Sequence, residues 1–181
     1  MFDKSRLPPA MFEFAVISDT HYMRDVGNHP LEFESRRKQS ARAETALRQV
    51  AGLDAAFVIH LGDLAQEYPE SPDFPQAISE ARQQLDACGV APCLVPGNHD
   101  VGDKRDPTMP THPASAASLA FYHAQFGRSW YSFDHHTCHF VVLNSQILNS
   151  DLPETEAQWQ WLRQDLEDHS GKRTFIFLHL P

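Results

Sequence analysis

The chain has 181 residues, of which 41% are hydrophobic, and its formal net charge is −9. This length can enclose one hydrophobic core, so we expect a single domain over residues 1–181 with a tail at 1–12. The acidic balance argues against a nucleic-acid backbone as the main partner, because binding that polyanion needs a basic face. No apolar run is long enough to span a membrane, and residues 1–11 lack the apolar core of a signal peptide, which predicts a cytoplasmic protein without a membrane partner.

The first half of the chain alternates between strand and helix patterns. Runs rich in Val, Ile, Phe and Leu predict buried strands at residues 12–18, 56–61 and 90–95. Between them, residues 36–51 and 75–88 carry apolar side chains at helical spacing, and Gly89 gives the second helix a stop signal. This alternation predicts right-handed crossovers and a parallel sheet.

The second half changes character and predicts a mixed set of elements. These are a long loop at 101–117, a short helix around 118–126, a hairpin of strands 130–133 and 139–143, a helix at 155–168 and a strand at 174–178. Thr155 and Gln158 form a candidate capping box at the start of the last helix. No internal repeat or linker divides the chain.

Four short segments place metal-compatible side chains directly after apolar runs. They are Asp19-Thr20-His21, Gly62-Asp63, Gly97-Asn98-His99-Asp100 and Leu178-His179-Leu180-Pro181. Because ligands of open α/β sheets bind beyond the carboxyl ends of the strands, we expect these side chains to share one crevice. Carboxylate, imidazole and amide donors together suit Mn, Fe or Zn better than calcium, which prefers oxygen alone.

Taken in this order, the four segments resemble the calcineurin-like metallophosphoesterase superfamily, and the resemblance runs from about Phe14 to the last residue. It implies an α/β fold, a four-layer α/β/β/α sandwich, with two metal ions (Mn, Fe or Zn) between loops. The implied ligands are Asp19 and His21 on the first metal, Asp63 bridging both, and Asn98 and His179 on the second. His99 is implied to face the substrate, and Asp100 to orient His99.

Such a site predicts a dinuclear phosphoric ester hydrolase. Two cations about 3.5–4 Å apart can share a hydroxide, lower the pKa of its parent water and hold phosphate oxygens for in-line attack. His99 is placed to stabilise charge on the phosphate or to protonate the leaving alkoxide. The substrate class is a small phosphate ester or a phosphoprotein, with monoester and diester both open. A non-catalytic binding module on this fold and a nucleotide or diphosphate hydrolase remain as alternatives.

Later segments resemble the branch that contains calcineurin-like phosphoesterase domain proteins and purple acid phosphatase relatives. These segments are Trp130-Tyr131-Ser132-Phe133, residues 140–146 and residues 158–162. Gln66 stands where purple acid phosphatases have a tyrosine ligand, so no tyrosinate-to-iron colour is expected. The family pattern continues to a Gly-His-x-His segment that these 181 residues do not contain. We therefore expect a C-terminally incomplete domain that lacks its last strands; a segment borrowed from a second chain is the less favoured explanation.

Two other histidine groups have alternative interpretations. His60 lies inside a buried run and is predicted to be a core or supporting histidine rather than a ligand. His135, His136, Cys138 and His139 have the residue types of a zinc site. We favour a hairpin turn there, because alternate residues of a strand point to opposite faces.

Overall fold

The computed structural model describes residues 8–24, 31, 33–109 and 111–180. Residues 1–7 of the predicted tail and Pro181 therefore lie outside the described residues. The strands are β1 (Ala15–Ile17), β2 (Val58–His60), β3 (Cys93–Leu94), β4 (Tyr131–His135), β5 (Cys138–Val142) and β6 (Arg173–Phe177). The α-helices are α1 (Gln39–Ala51), α2 (Phe74–Ala87), α3 (Asn98–Val101), α4 (Ala116–Phe126) and α5 (Pro153–Asp168). Short 3₁₀ helices cover Glu34–Lys38 and Ser145–Ile147.

These strands form two sheets of three strands each. The first sheet has the order β1-β2-β3 and is parallel throughout, as the alternation of strands and helices predicts. In the second sheet, β4 and β5 form an antiparallel hairpin, and β6 joins β5 in parallel. Helix α5 connects β5 to β6, which is the crossover that a parallel pair requires.

The buried side chains divide the molecule into four layers. One apolar cluster lies between the first sheet and helices α1 and α2, and includes Leu47, Ile78 and Leu85. A second cluster joins the two sheets through Ile59, Val95 and Val142. A third cluster, formed by Val141, Leu143 and Leu162 with Trp159 packed against it, joins α5 to the outer face of the second sheet. The order helix, sheet, sheet, helix is the predicted α/β/β/α sandwich.

The start of α5 corrects one local prediction. The helix begins at Pro153, whose fixed backbone suits the first helical position, so Thr155 lies inside the first turn rather than at the cap. The Thr155 hydroxyl donates to the Ile147 carbonyl at 2.7 Å. Gln158 instead pairs with the backbone of Asn144, accepting from its N–H at 2.8 Å and donating to its carbonyl at 3.1 Å. The candidate capping box was wrong, and both side chains join the helix to the segment that follows β5.

The turn between β4 and β5 does not assemble the alternative zinc site. Residues 136–137 form the turn, and His136 has a φ of 51°. The rings of His135 and His136 contact Phe12, with centroid distances of 4.7 and 5.4 Å. His139 is on the opposite face, where it pairs with Asp134 and Asp165. None of the helices within the described residues combines the length and hydrophobicity of a membrane span.

Candidate metal centre

The loops after β1 and β2 run side by side beyond the ends of their strands. The backbone N–H of Asp19 donates to the Gly62 carbonyl at 3.1 Å, and that of His21 donates to the Asp63 carbonyl at 2.9 Å. The pairing ends in an isolated parallel bridge between Tyr22 and Ala65. The parallel sheet thus continues as paired loops, which brings donors from two distant segments to one edge.

Backbone strain is concentrated at the predicted ligands. Asp19, His21 and Asp63 have φ values of 54°, 41° and 57°. The described residues contain four non-glycine residues with positive φ, and these three are among them. Each costs on the order of 1–3 kcal/mol, and such residues cluster where a loop must aim a side chain. The packing of these loops therefore holds the three side chains in a conformation that isolated residues avoid.

Two glycines allow the loop after β2 and the loop after β3 to meet at contact distance. A Cβ atom on Gly62 would lie 2.5 Å from the Gly97 nitrogen, and one on Gly97 would lie 2.6 Å from the Asp63 nitrogen. Gly62 also has a φ of 96°, which L side chains rarely adopt. A side chain at either position would push the loop that carries Asp63 away from the loop that carries Asn98 and His99.

Asp100 fixes these loops rather than the ring of His99. Its carboxylate accepts from the backbone N–H groups of Asp63 and Gly97, each at 2.8 Å, and from that of Leu64 at 3.1 Å. His99 Nδ1 instead donates to the Gln66 carbonyl at 2.7 Å. This differs from the expectation that Asp100 orients His99. The reason is that Asp100 is only 3% exposed and its carboxylate accepts from three backbone N–H groups, which would otherwise be buried without a partner.

All seven predicted site residues lie together at this edge. Nε2 of His21 is 3.5 Å from both Asp19 Oδ1 and Asp63 Oδ2, and Nε2 of His179 is 3.5 Å from Asp63 Oδ2. Asn98 Oδ1 lies 3.1 Å from His179 Nε2. The donor atoms at this edge form two groups, and within each group all donor atoms lie within 4.8 Å of one another. Asp63 belongs to both groups. One joins it with Asp19 and His179, and the other joins it with His21 and His99.

The implied pairing of Asp19 with His21 stays a prediction, since Nε2 of His21 is equally close to carboxylate oxygens of Asp19 and Asp63. The resemblance placed Asp19 and His21 on one metal and left His99 free to meet the substrate. In the structure His99 lies close enough to His21 and Asp63 to act as a third donor. The sharing of Asp63 between two groups agrees with a bridging position.

Backbone carbonyls set which nitrogen of two histidines faces the site. His179 Nδ1 donates to the Leu61 carbonyl at 2.7 Å, as His99 Nδ1 does to that of Gln66. A carbonyl can only accept, so each Nδ1 carries a proton, and in the neutral ring Nε2 is the nitrogen that has the lone pair. That tautomer is the form in which an imidazole binds a cation.

The electrostatics of the cluster favour a bound cation. Burial, followed by the neighbouring Asp100, raises the pKa of Asp63 to about 7. Burial lowers the pKa of His21, and burial together with His21 lowers the pKa of His99 to about 4. His21 and His99 are therefore neutral near pH 7, as ligands must be, and a bound cation would stabilise the ionised Asp63 carboxylate. Within the described part of the chain, His21 Nδ1 is also buried without a hydrogen-bond partner. The donor set fits divalent transition metals.

Two residues outside the seven predicted site residues, Tyr68 and His60, also support the site. Tyr68 stacks on the His99 imidazole with a centroid distance of 3.8 Å and an interplanar angle of 27°. His60 is buried, as predicted, and its Nε2 lies 2.9 Å from the Thr20 hydroxyl while its Nδ1 accepts from the Gly62 N–H at 3.2 Å. The sequence shows Tyr68 as one aromatic residue in a polar loop, which signals no contact with His99.

Comparison with known protein families identifies the class of protein. The sequence model of the calcineurin-like phosphoesterase family matches residues 12–181. The chain belongs to that family. A comparison with curated protein sequences gives no significant match.

Solved structures share the fold at low sequence identity. A dimetal phosphatase from Danio rerio aligns with a TM-score of 0.58 and 19% identity, covering 94% of this chain and 70% of its own. A purple acid phosphatase from yellow lupin (Lupinus luteus) seeds aligns with a TM-score of 0.52 and 15% identity, covering 85% of this chain and 27% of its own. Both neighbours show that the two-sheet sandwich is the metallophosphoesterase fold.

Proposed function

We propose that residues 1–181 form a catalytic domain that hydrolyses phosphate monoester or diester bonds with two divalent metal ions. The observation that carries this proposal is the position of Asp63. One buried carboxylate is shared by two groups of donors, each of which includes a histidine. Family membership supports metal-dependent phosphoester hydrolysis in general, and the donor chemistry supports Mn, Fe or Zn.

The geometry of the side chains supports the following ligand roles. Asp63 would contact both cations, with Asp19 and His179 on one side and His21 on the other. The amide oxygen of Asn98 is directed to the same side as His179. When bound, two such cations activate water and offset the charge on phosphate oxygens. Asp100 holds the loops at the spacing that keeps Asp63 between the two groups.

His99 acts through Nε2, because Nδ1 is committed to the Gln66 carbonyl. In this tautomer Nε2 can accept a proton from the attacking water or can coordinate a cation. Donation to the leaving alkoxide would need the doubly protonated ring, which the lowered pKa disfavours. We assign His99 to contact with the substrate or the attacking water.

Metal analysis combined with two generic substrates tests this proposal. The purified protein should bind Mn, Fe or Zn and turn over an aryl phosphate or an aryl phosphodiester. Asp63→Asn should lower the bound metal and abolish turnover, because a carboxamide bridges two cations poorly. Asp54→Asn, an exposed position remote from the site, is the matched control. A protein that binds none of these metals and hydrolyses neither ester would overturn the enzymatic assignment in favour of a binding module.

A further inference from the structure

A cavity of about 420 Å³ lies beside the metal centre and contains none of the proposed ligands. We call it the proline pocket. Its described lining residues are Pro69, Glu70, Ser71, Pro72, Phe74, Pro75, Gly102, His112, Pro113, Ser115, Ala117, Ser118 and Phe121.

Two separate segments connect the proline pocket to the metal centre. Tyr68 stacks on His99, and the next residue along the chain, Pro69, lines the pocket. Gly102, also in the lining, donates its N–H to the Asn98 carbonyl at 2.9 Å, which places it one turn of α3 beyond a proposed ligand. Two segments of the pocket lining are therefore continuous in the chain with residues of the donor cluster or in contact with it.

The walls are apolar and preformed. Four prolines have a fixed φ, so this part of the lining loses little conformational freedom when a ligand binds. The rings of Phe74 and Phe121 contact each other with a centroid distance of 5.1 Å and an interplanar angle of 49°. Flat apolar walls of this kind suit an aromatic ring.

The charge of the lining selects among aromatic groups. Glu70 is the one carboxylate among the described lining residues, which include no lysine or arginine. The Glu70 carboxylate accepts from the His112 backbone N–H at 3.3 Å, and no cationic Lys or Arg of the described lining opposes its negative charge. Such a lining repels a second phosphate or an acidic peptide, and it accommodates a neutral or cationic group.

We propose that the proline pocket binds the alcohol portion of the substrate, a neutral or cationic aromatic group, while the phosphate lies at the metal centre. The placement of the phosphate rests on the proposed function. Binding of the aromatic group to the pocket does not, so it can be measured separately with the free alcohol.

The first test measures the binding of 2-naphthol to the protein through the change in the fluorescence of 2-naphthol. Ala117 is exposed on α4 and lines the pocket, so Ala117→Trp fills the cavity without disturbing the core. This variant should weaken naphthol binding at least about tenfold. Ala120→Trp, exposed on the same helix but outside the lining, should bind as the wild type does. Equal binding by the two variants, or no binding by the wild type, would overturn the proposal.

A charge variant and a pair of substrates complete the design. Glu70→Gln should strengthen binding of 2-naphthoate and leave that of 2-naphthol unchanged; an unchanged preference for the neutral ligand would contradict the charge argument. With naphthyl phosphate, Ala117→Trp should raise KM about tenfold, but with methyl phosphate KM should not change. Naphthol binding by a protein that hydrolyses neither an aryl phosphate nor an aryl phosphodiester would support the pocket and overturn the proposed function. Hydrolysis without naphthol binding would do the reverse.

Discussion

Asp63 has both its backbone and its side chain in states that an isolated aspartate avoids. Its φ is 57°, and its carboxylate is 4% exposed with a pKa raised to about 7, chiefly by burial. Both features cost free energy in the absence of a cation, and a bound cation would offset the second. Two hydrogen bonds hold the residue in place: its backbone N–H donates to the Asp100 carboxylate, and its own carboxylate accepts from the His99 backbone N–H. The strain at this single residue is what makes a shared ligand position available.

His99 offers a test at the residue scale. His99→Ala should slow turnover by roughly 10²-fold or more while leaving the metal content largely intact, because the ring contributes to proton transfer more than to metal binding. Metal content measured by mass spectrometry, together with kcat, checks this. A fall in bound metal as large as the fall in kcat would instead make His99 a third ligand of the group that contains His21 and Asp63.

At the scale of elements, a charged network joins α5 to the β4–β5 hairpin on the face away from the metal centre. His139 is 1% exposed, and its Nδ1 and Nε2 lie 2.8 and 2.7 Å from the carboxylates of Asp134 and Asp165. Asp134 also pairs with Lys172, and the His169 ring stacks on His139 with a centroid distance of 3.8 Å. Every strong acceptor next to His139 thus has a donor.

This network has the donor types of a second metal group but is already satisfied without an ion. The donor atoms of Asp134, His139 and His169 lie within 4.8 Å of one another. A metal would have to displace the proton of His139 and the ammonium of Lys172, each of which pairs with a carboxylate. A doubly protonated His139 that bridges two carboxylates explains the arrangement with no added ligand.

The network predicts a pH-dependent contribution to stability. Burial opposes charge on His139, but Asp165 and Asp134 outweigh it and raise the pKa of the imidazole above its ordinary value of 6.5. Because the folded-state pKa is raised, the contribution is complete below the unfolded-state pKa and is lost as pH rises through the folded-state pKa. We expect the wild type to lose about 1.5–3 kcal/mol of unfolding free energy from this source between pH 6 and pH 9.

Urea unfolding of a His139→Gln variant checks this prediction. At pH 6 the variant should be about 3 kcal/mol less stable, because the buried Asp165 carboxylate loses its cationic partner. Its unfolding free energy should also lack the wild-type decline toward pH 9. His112→Gln, at an exposed position, should retain the wild-type decline. Parallel pH curves for wild type and His139→Gln would show that His139 carries no charge in the folded protein.

At the scale of the whole molecule, the metal centre lies where the two sheets meet. Asp63 follows β2 of the first sheet, and His179 follows β6 of the second. His179 Nδ1 already donates to the Leu61 carbonyl in the first sheet, and the apolar layer of Ile59, Val95 and Val142 fills the space between the sheets. A cation held by Asp63 and His179 would therefore connect both layers of the sandwich.

Metal binding should consequently stabilise the fold as a unit. At a free metal concentration of 100 times Kd, we expect a gain of about 2.7 kcal/mol in unfolding free energy, seen as a rise in Tm over the chelator-treated protein. His179→Ala should lose most of that rise, whereas His136→Ala, at the hairpin turn, should retain it. Calcium should have little effect, since it prefers oxygen donors alone. An equal rise in Tm for the His179 variant would place the cation within the first sheet.

The sequence by itself determined the order of the elements and the position of the donors. Apolar runs followed by Asp, Asn and His predict strands that end in ligands, because strand and helix periodicity are local properties of the chain. The two sheets and the four layers agree with that prediction. The alternation of patterns could not fix where each element begins and ends. The strand predicted at 90–95 has only two residues in β3, and α5 begins at Pro153 instead of at residue 155.

Only the tertiary structure decided the partners of those donors. Asp100 bonds to the loop of Asp63, 37 residues away, instead of to its neighbour His99, and His179 is oriented by Leu61, 118 residues away. The stack of Tyr68 on His99 and the proline pocket arise in the same way. Such contacts depend on how loops from different strands pack once the sheets have formed. The donor residues can be identified from their positions along the chain, but the packing of the loops decides which partners they contact.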